Sequence, residues 1–231
     1  SPVPHAEILN FVKPILAKQG VNLEIKEFDD YVRPNLAVAD GSLDLNYFQH
    51  QPYLDSFQKT RPLGIVGGAK VHIEPMGLYS YKVKKLSDLK TGAIIAIPND
   101  PSNSGRALRL LAQGGLIRLK STAGVSATPL DITTNLKKLQ FRQLDAAQLP
   151  RALDDVDAAI INTNYALTTG LNPLKDALLI DNKYSPYANF IAGKPEALRT
   201  EDYKKLVKVL QSPEVKAFIL KKYKGAIIPA F

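Results

Sequence analysis

The chain contains no cysteine. Disulfides, cysteine-ligated zinc and thiol nucleophiles are therefore excluded. Histidine is nearly as scarce: His5, His50 and His72 are the whole set. None of them stands in HExxH or a similar metal-binding spacing. No apolar run approaches the ~20 residues that a membrane-spanning helix needs. A GxSxG elbow, a P-loop and a GxGxxG fingerprint are all missing. Gly67-Gly68 is too short to cradle a phosphate. Asp29-Asp30 and Asp154-Asp155 read as caps or solvated turns rather than acid/base pairs. Nothing nominates a catalytic site, and the expectation is a protein that is not an enzyme. There is also no long linker, no internal repeat and no low-complexity stretch.

What is present is ordinary for a globular chain. Hydrophobic residues make up 45% of the 231 positions and charged residues 23%, which excludes disordered and fibrous classes. That length suits one domain or two small lobes. The formal net charge is +8, a balance that sometimes marks nucleic-acid binding. Here the basic residues are dispersed. The densest clusters are Lys82-Val83-Lys84-Lys85, Lys204-Lys205 and Lys221-Lys222-Tyr223-Lys224. Two of these lie on a helical C-terminal segment, where mixed charge marks a solvated face. No nucleic-acid partner is expected. The chain begins on Ser1 rather than Met, which reads as a trimmed or processed start.

Helical and strand patterns alternate along the chain, the signature of an α/β fold. Helices are expected over 4–19, 34–39, 52–59, 105–113, 147–153, 200–211 and 213–223. In the first, Leu9, Val12, Ile15 and Leu16 form the apolar stripe, and Pro14 should kink or shorten it. Strands are expected over 21–28, 42–48, 71–79, 93–97, 139–144, 158–161, 177–180 and 189–192. If two lobes exist, the chain crosses between them at 74–79 and 185–190, and a cleft lies between.

Three segments carry candidate chemistry. Asn99-Asp100-Pro101-Ser102-Asn103-Ser104-Gly105-Arg106 follows a buried strand and opens a helix. Free N–H groups there attract anions, and Arg106 could clamp a carboxylate. A plain capped turn with a surface Arg106 fits the residues equally well. Asn46-Tyr47-Phe48-Gln49-His50-Gln51-Pro52-Tyr53 packs three aromatics and a histidine around a strand-to-helix loop. They could wall an apolar pocket suited to a thioether, or simply staple the following helix. Asn162-Thr163-Asn164-Tyr165 stands at the end of a strand, where α/β sheets place ligands. Its amides could meet both an ammonium and a carboxylate, or cap a helix.

A wider set of motifs carries a resemblance. It comprises Ser-Pro-Val-Pro-His-Ala-Glu-Ile-Leu at 1–9, Asp30-Tyr31-Val32 with Pro34-Asn35, Phe48-Gln49-His50 with Pro52-Tyr53, and His72-Ile73-Glu74-Pro75-Met76-Gly77. It continues through Asn99-Asp100-Pro101-Ser102-Asn103, Ala147-Gln148-Leu149-Pro150-Arg151, Asn162-Thr163-Asn164-Tyr165 and Ser185-Pro186-Tyr187. Together these resemble the NlpA family, the methionine-binding lipoproteins of ABC importers, from Ser1 to Phe231.

The resemblance implies a two-lobed periplasmic-binding-protein fold of type II, with the ligand cleft between lobes. It implies lobe 1 over 1–77 and 190–231 and lobe 2 over 78–189. The implied function is capture of L-methionine and delivery to an ABC transporter's permease and ATPase complex, by a monomer. By matching motif, Arg106 would clamp the α-carboxylate. Asn164 and Asn189 would hold the backbone groups, with Asn162 beside them. Tyr31, Phe48, His50 and Tyr53 would line the side-chain pocket. No cofactor and no metal are implied.

The implied location is the periplasm or the outer face of the cell membrane, with a lipid-anchored precursor. Two departures stand out. Family members carry an upstream lipobox cysteine, and a short apolar strand just before the segment matching Ser1-Pro2-Val3-Pro4-His5. That strand would lie centrally in the first lobe's sheet. Alternative readings are D-methionine, a methionine-containing dipeptide with His72 or Glu74 as second polar anchor, and a sensor or scaffold that feeds no transporter.

Overall fold

In the computed structural model, residues 1–181 and 186–231 are described, and they form a mixed α/β architecture in two compact units. Unit 1 comprises Ser1–Glu74 and Lys183–Phe231, and unit 2 comprises Pro75–Asn182. In chain order, unit 1 opens with α1 (Glu7–Ala17), α2 (Arg33–Ala39), β1 (Leu45–His50), α3 (Gln51–Thr60) and β2 (Val66–Ile73). Unit 2 follows with β3 (Gly77–Tyr79), β4 (Ile94–Pro98), α4 (Pro101–Gln113), β5 (Arg118–Leu119), β6 (Ile132–Thr134) and β7 (Gln140–Leu144). It continues through α5 (Leu149–Ala152), β8 (Ala158–Ile161), α6 (Thr163–Thr168), α7 (Pro173–Asp176) and β9 (Leu179–Ile180). The chain then returns to unit 1 for β10 (Ala188–Gly193), α8 (Glu201–Leu210), α9 (Pro213–Tyr223) and β11 (Ile228–Pro229).

The sheet of unit 1 has the order β1-β10-β2-β11, and every neighbouring pair is antiparallel. A late strand, β10, thus lies between two early ones. Its register sets Asn189 opposite His50 on one side and His72 on the other. The register of β1 against β10 slips between Tyr47 and Gln49, leaving Phe48 at an irregularity. Such bulges re-aim a side chain locally. Val38, Leu54, Ile65, Phe190 and Ala192 pack together beside this sheet.

The sheet of unit 2 has the order β7-β4-β8-β3-β9. Strand β4 runs parallel to β7 and β8, whereas β3 is antiparallel to β8 and β9. Met76, Leu78, Ile95, Ile97, Leu108, Leu111 and Ile160 are fully buried in its core. Because β4 and β8 run side by side in the same direction, the helices that follow them, α4 and α6, start at the same end of the sheet. That geometry concentrates polar helix-start residues at one edge.

Several sequence expectations shift. The chain is helical from Pro4, as expected: a π-helical turn over Pro2–Ala6, non-helical only at Val3, leads into α1, which runs through Pro14 to Ala17 without stopping. Its buried stripe is Ile8, Val12 and Leu16. An i, i+4, i+8 row displaces the expected Leu9 and Ile15, which are partly exposed. The expected strand over 71–79 is two strands, β2 and β3, separated at the unit boundary. The boundary falls at Glu74 and Pro75, not 77/78. Residues 186–189, expected in the second lobe, belong with unit 1 because Ala188 and Asn189 pair with Ile73 and His72. Ser185, the start of the second expected crossing, lies outside the described residues.

The expected strand over 21–28 is not one, although its burial still alternates. A cavity of about 780 Å³ lies between this segment and β1, lined by Val21, Leu23, Ile25, Leu45 and Tyr47 among others. The side chains have strand periodicity, but a strand needs a neighbour to take its N–H and C=O groups. The cavity holds that place open on the β1 side.

Candidate functional site

Four of the eight expected residues come together in unit 1. Phe48 and Tyr53 are buried, pack with Phe57, and take the partly buried Tyr31 against them. Ring centroids are 5.9 Å apart for Tyr31–Phe48, 5.8 Å for Tyr31–Tyr53 and 5.8 Å for Phe48–Tyr53. These spacings fall in the favourable range for aromatic pairs. His50 closes the group, 6.4 Å from Tyr53 and 4.9 Å from Tyr187.

The local chain explains this clustering. His50 is the N-cap of α3, where its Nδ1 accepts from the Tyr53 N–H at 3.2 Å. Pro52 stands in the first turn, where its missing N–H costs nothing. The Tyr53 hydroxyl donates to the Tyr31 carbonyl at 2.8 Å. That bond ties the loop before α2 to the first turn of α3. The cluster therefore does both jobs left open by the sequence: it staples α3 and forms an aromatic wall. Phe57 escaped the sequence reading. Its signal was present, since it stands four residues beyond Tyr53 on the same helical face.

Asn189 is also in unit 1 and buried. Its Oδ1 lies 3.1 Å from His5 Nε2. His5 is likewise 3.2 Å from Glu74 Oε1, and His72 Nε2 donates to the same Oε1 at 2.8 Å. Burial first, and also the neighbouring His72, hold the His5 imidazole well below its usual range.

Arg106, Asn162 and Asn164 are in unit 2, and all are buried. Helix α4 begins at Pro101, earlier than expected, because Asp100 caps it. Asp100 Oδ1 accepts from the Asn103 N–H at 2.9 Å, and Oδ2 accepts from Asn103 Nδ2 at 2.9 Å. The helix start is thus filled by the chain's own carboxylate, the capped-turn alternative of the two readings. Burial pushes the Asp100 carboxyl above its usual range, against the opposing N–H groups of Asn103 and Ser102.

Arg106 stands one turn beyond Asn103. It is not a surface residue: its side chain is 4% exposed and its Nε donates to Asp181 Oδ2 at 2.6 Å. Asp181 Oδ1 in turn accepts the Met76 N–H at 2.8 Å. One carboxylate therefore aims a guanidinium whose donor set is larger than one N–H. Asp181 was missed by the sequence reading, although it directly follows an expected strand. Asn162 begins α6 but makes no side-chain cap bond; its Nδ2 donates to Asn103 Oδ1 at 3.1 Å. Its Oδ1 is buried without a hydrogen bond among the described residues. Asn164 follows in the first turn of α6. Unit 2 thus brings a buried cation and buried amides to the starts of α4 and α6.

The NlpA lipoprotein family profile matches residues 1–231. The D-methionine-binding lipoprotein MetQ of Salmonella typhimurium is 44% identical over 213 residues, 91% of this chain and 79% of its own length. The MetQ of Escherichia coli is 42% identical over the same shares of both chains. A nutrient-binding protein from Burkholderia cenocepacia, solved bound to methionine, is 52% identical with a TM-score of 0.95. That match covers 99% of this chain and 96% of the other.

Proposed function

Because the chain belongs to the NlpA lipoprotein family, a family of substrate-binding proteins and not of enzymes, we propose that it captures methionine outside the cytoplasm and delivers it to an ABC transporter. The aromatic group of Tyr31, Phe48, His50 and Tyr53 carries this reading. A thioether gains about 0.3–1.5 kcal/mol from each aromatic contact, and a flexible unbranched side chain fits between rings.

The polar half of the ligand needs different partners. A zwitterion removed from water must have both charges met, because an unpaired buried charge is very costly. Arg106 takes the carboxylate. The amides of Asn164 and Asn189 take the backbone groups, with Asn162 beside them, and amide oxygens receive an ammonium without adding net charge. Asp181 keeps Arg106 oriented. The protein acts as a monomer, with its native precursor lipid-anchored at the outer face of the membrane.

L-methionine is the ligand proposed. The D form is the second reading, favoured by the name of the MetQ relatives. The test is chiral mass spectrometry of small molecules released by denaturing the purified protein, followed by calorimetric titration of the refolded chain with each enantiomer. Tight 1:1 binding of L-methionine supports the proposal. Preference for D-methionine selects the second reading. A folded protein that binds neither, and no methionine-containing dipeptide, overturns both.

A further inference from the structure

The cluster of His5, His72 and Glu74 lies within unit 1, and one ligand atom from each falls within 4.8 Å of the others. The three side chains are buried, with His72 at 0% exposure. Their hydrogen bonds decide where the protons are. Ser1 Oγ donates to the Val3 carbonyl at 2.8 Å and lies 2.8 Å from His5 Nδ1. One hydroxyl proton cannot serve both contacts. With it on Val3, Ser1 Oγ accepts from His5 Nδ1–H. In that tautomer the neutral imidazole presents a lone pair at Nε2. That lone pair faces Glu74 Oε1 at 3.2 Å and Asn189 Oδ1 at 3.1 Å. In that tautomer three acceptors converge, an arrangement that a bound cation satisfies.

We propose that His5 Nε2, His72 Nε2 and Glu74 Oε1 bind one divalent metal ion of the zinc class, with Asn189 Oδ1 as a fourth donor. Two imidazoles and a carboxylate are a donor set suited to zinc. In tetrahedral zinc, bonds of about 2.0–2.1 Å place neighbouring ligand atoms about 3.3 Å apart. The observed separations of 3.2, 3.1 and 2.8 Å lie close to that spacing, and the His5, His72 and Glu74 donor atoms all fall within 4.8 Å of one another.

The outer partners also fit. Metal-bound histidines are oriented by a hydrogen bond at the far nitrogen. Ser1 Oγ provides it for His5, and the Tyr47 hydroxyl for His72 Nδ1. For His72 the metal replaces the Nε2 proton, which moves to Nδ1 and is then donated to the Tyr47 oxygen. No net proton is released by that exchange. The proposal does not depend on which solute the protein carries.

The test uses the whole chain with histidine-selective ¹⁵N labelling and Zn²⁺ alone as probe. Only three imidazoles have to be assigned. One equivalent of Zn²⁺ should move the Nε2 signals of His5 and His72 to metal-bound positions and leave His50 in place. Co²⁺ should give saturable visible absorption at one ion per chain. Glu74→Gln and His5→Gln, checked for folding by circular dichroism, should each weaken Co²⁺ binding at least tenfold. Unmoved His5 and His72 signals, a shift at His50 instead, or unchanged Co²⁺ binding in both folded variants would each overturn the assignment. The imidazole signals are read on the unmodified chain, so failure of a variant to fold leaves the test intact.

Discussion

Arg106 and Asp181 form a buried ion pair, Nε to Oδ2 at 2.6 Å, in which Asp181 is itself anchored by the Met76 N–H. The pair fixes the position of the guanidinium rather than neutralising a spare charge. Breaking it from either side leaves a buried charge without its partner, at a cost of about 3–5 kcal/mol.

The first prediction follows from that geometry. Arg106→Ala should weaken methionine binding by more than tenfold, since truncating one side of a buried charge pair costs about 2–5 kcal/mol. It should also lower the thermal midpoint by stranding Asp181. Calorimetric titration and a melt read the two effects separately. Binding weakened less than tenfold would remove the ligand carboxylate from Arg106.

A second prediction concerns the aromatic group. Phe48→Ala should reduce affinity for methionine more than for alanine, because only the longer side chain reaches the rings. Competition titrations with both amino acids measure the ratio. Equal losses would take Phe48 out of the side-chain pocket.

Asp100 gives a pH prediction. Its folded carboxyl is raised by burial. A raised acid contributes stability that is fully present below its unfolded value and lost as pH rises through the folded one. Asp100→Asn keeps a capping oxygen but cannot ionise. In paired urea melts the variant should gain on the parent as pH rises from about 3 to about 6, the range spanning carboxylate titration. A gap that stays constant would contradict the raised value.

Gly105 precedes Arg106 on α4, and a Cβ there would lie 2.2 Å from the Val125 carbonyl oxygen and 2.8 Å from the Ala127 nitrogen. Both obstacles are backbone, so the strand of chain passing α4 would have to move. Gly105→Ala should destabilise unit 2 by about 1–3 kcal/mol, as overpacking does, despite alanine's better helix propensity. Chemical denaturation measures it; an unchanged or raised midpoint would show that the 125–127 segment yields freely.

Local pattern made much of the fold legible. Helices α2, α3, α8 and α9 follow from proline at their starts and from capping residues such as His50, Thr200 and Ser212. Strand β8 follows from an unbroken apolar run. The segment 21–28 failed because alternation reports which side chains are apolar, not whether a neighbouring strand exists. The short pair β5 and β6 was not anticipated, since two- and three-residue strands leave no periodicity to read.

The candidate site was legible where its residues are close in sequence, as with Phe48, His50 and Tyr53. The Arg106–Asp181 pair and the His5–His72–Glu74 cluster were not, because each is assembled by strands distant along the chain. Of the two readings left open at the α4 start, the capped turn is the one formed, because Asp100 is both the cap signal and the anion that fills it.

The place of β10 constrains how the chain can be built. Residues of unit 2 are contiguous, and all its strands are available once synthesis passes 182. Unit 1 has no such freedom. Its β1 and β2 are joined only through β10, which emerges from the ribosome after the whole of unit 2. Non-local pairing of that kind is slow and leaves strand edges exposed while it waits. The segment Ser1–Glu74 of the nascent chain is therefore the part that needs shielding, and the chain from Ala188 onward is what releases it from that need.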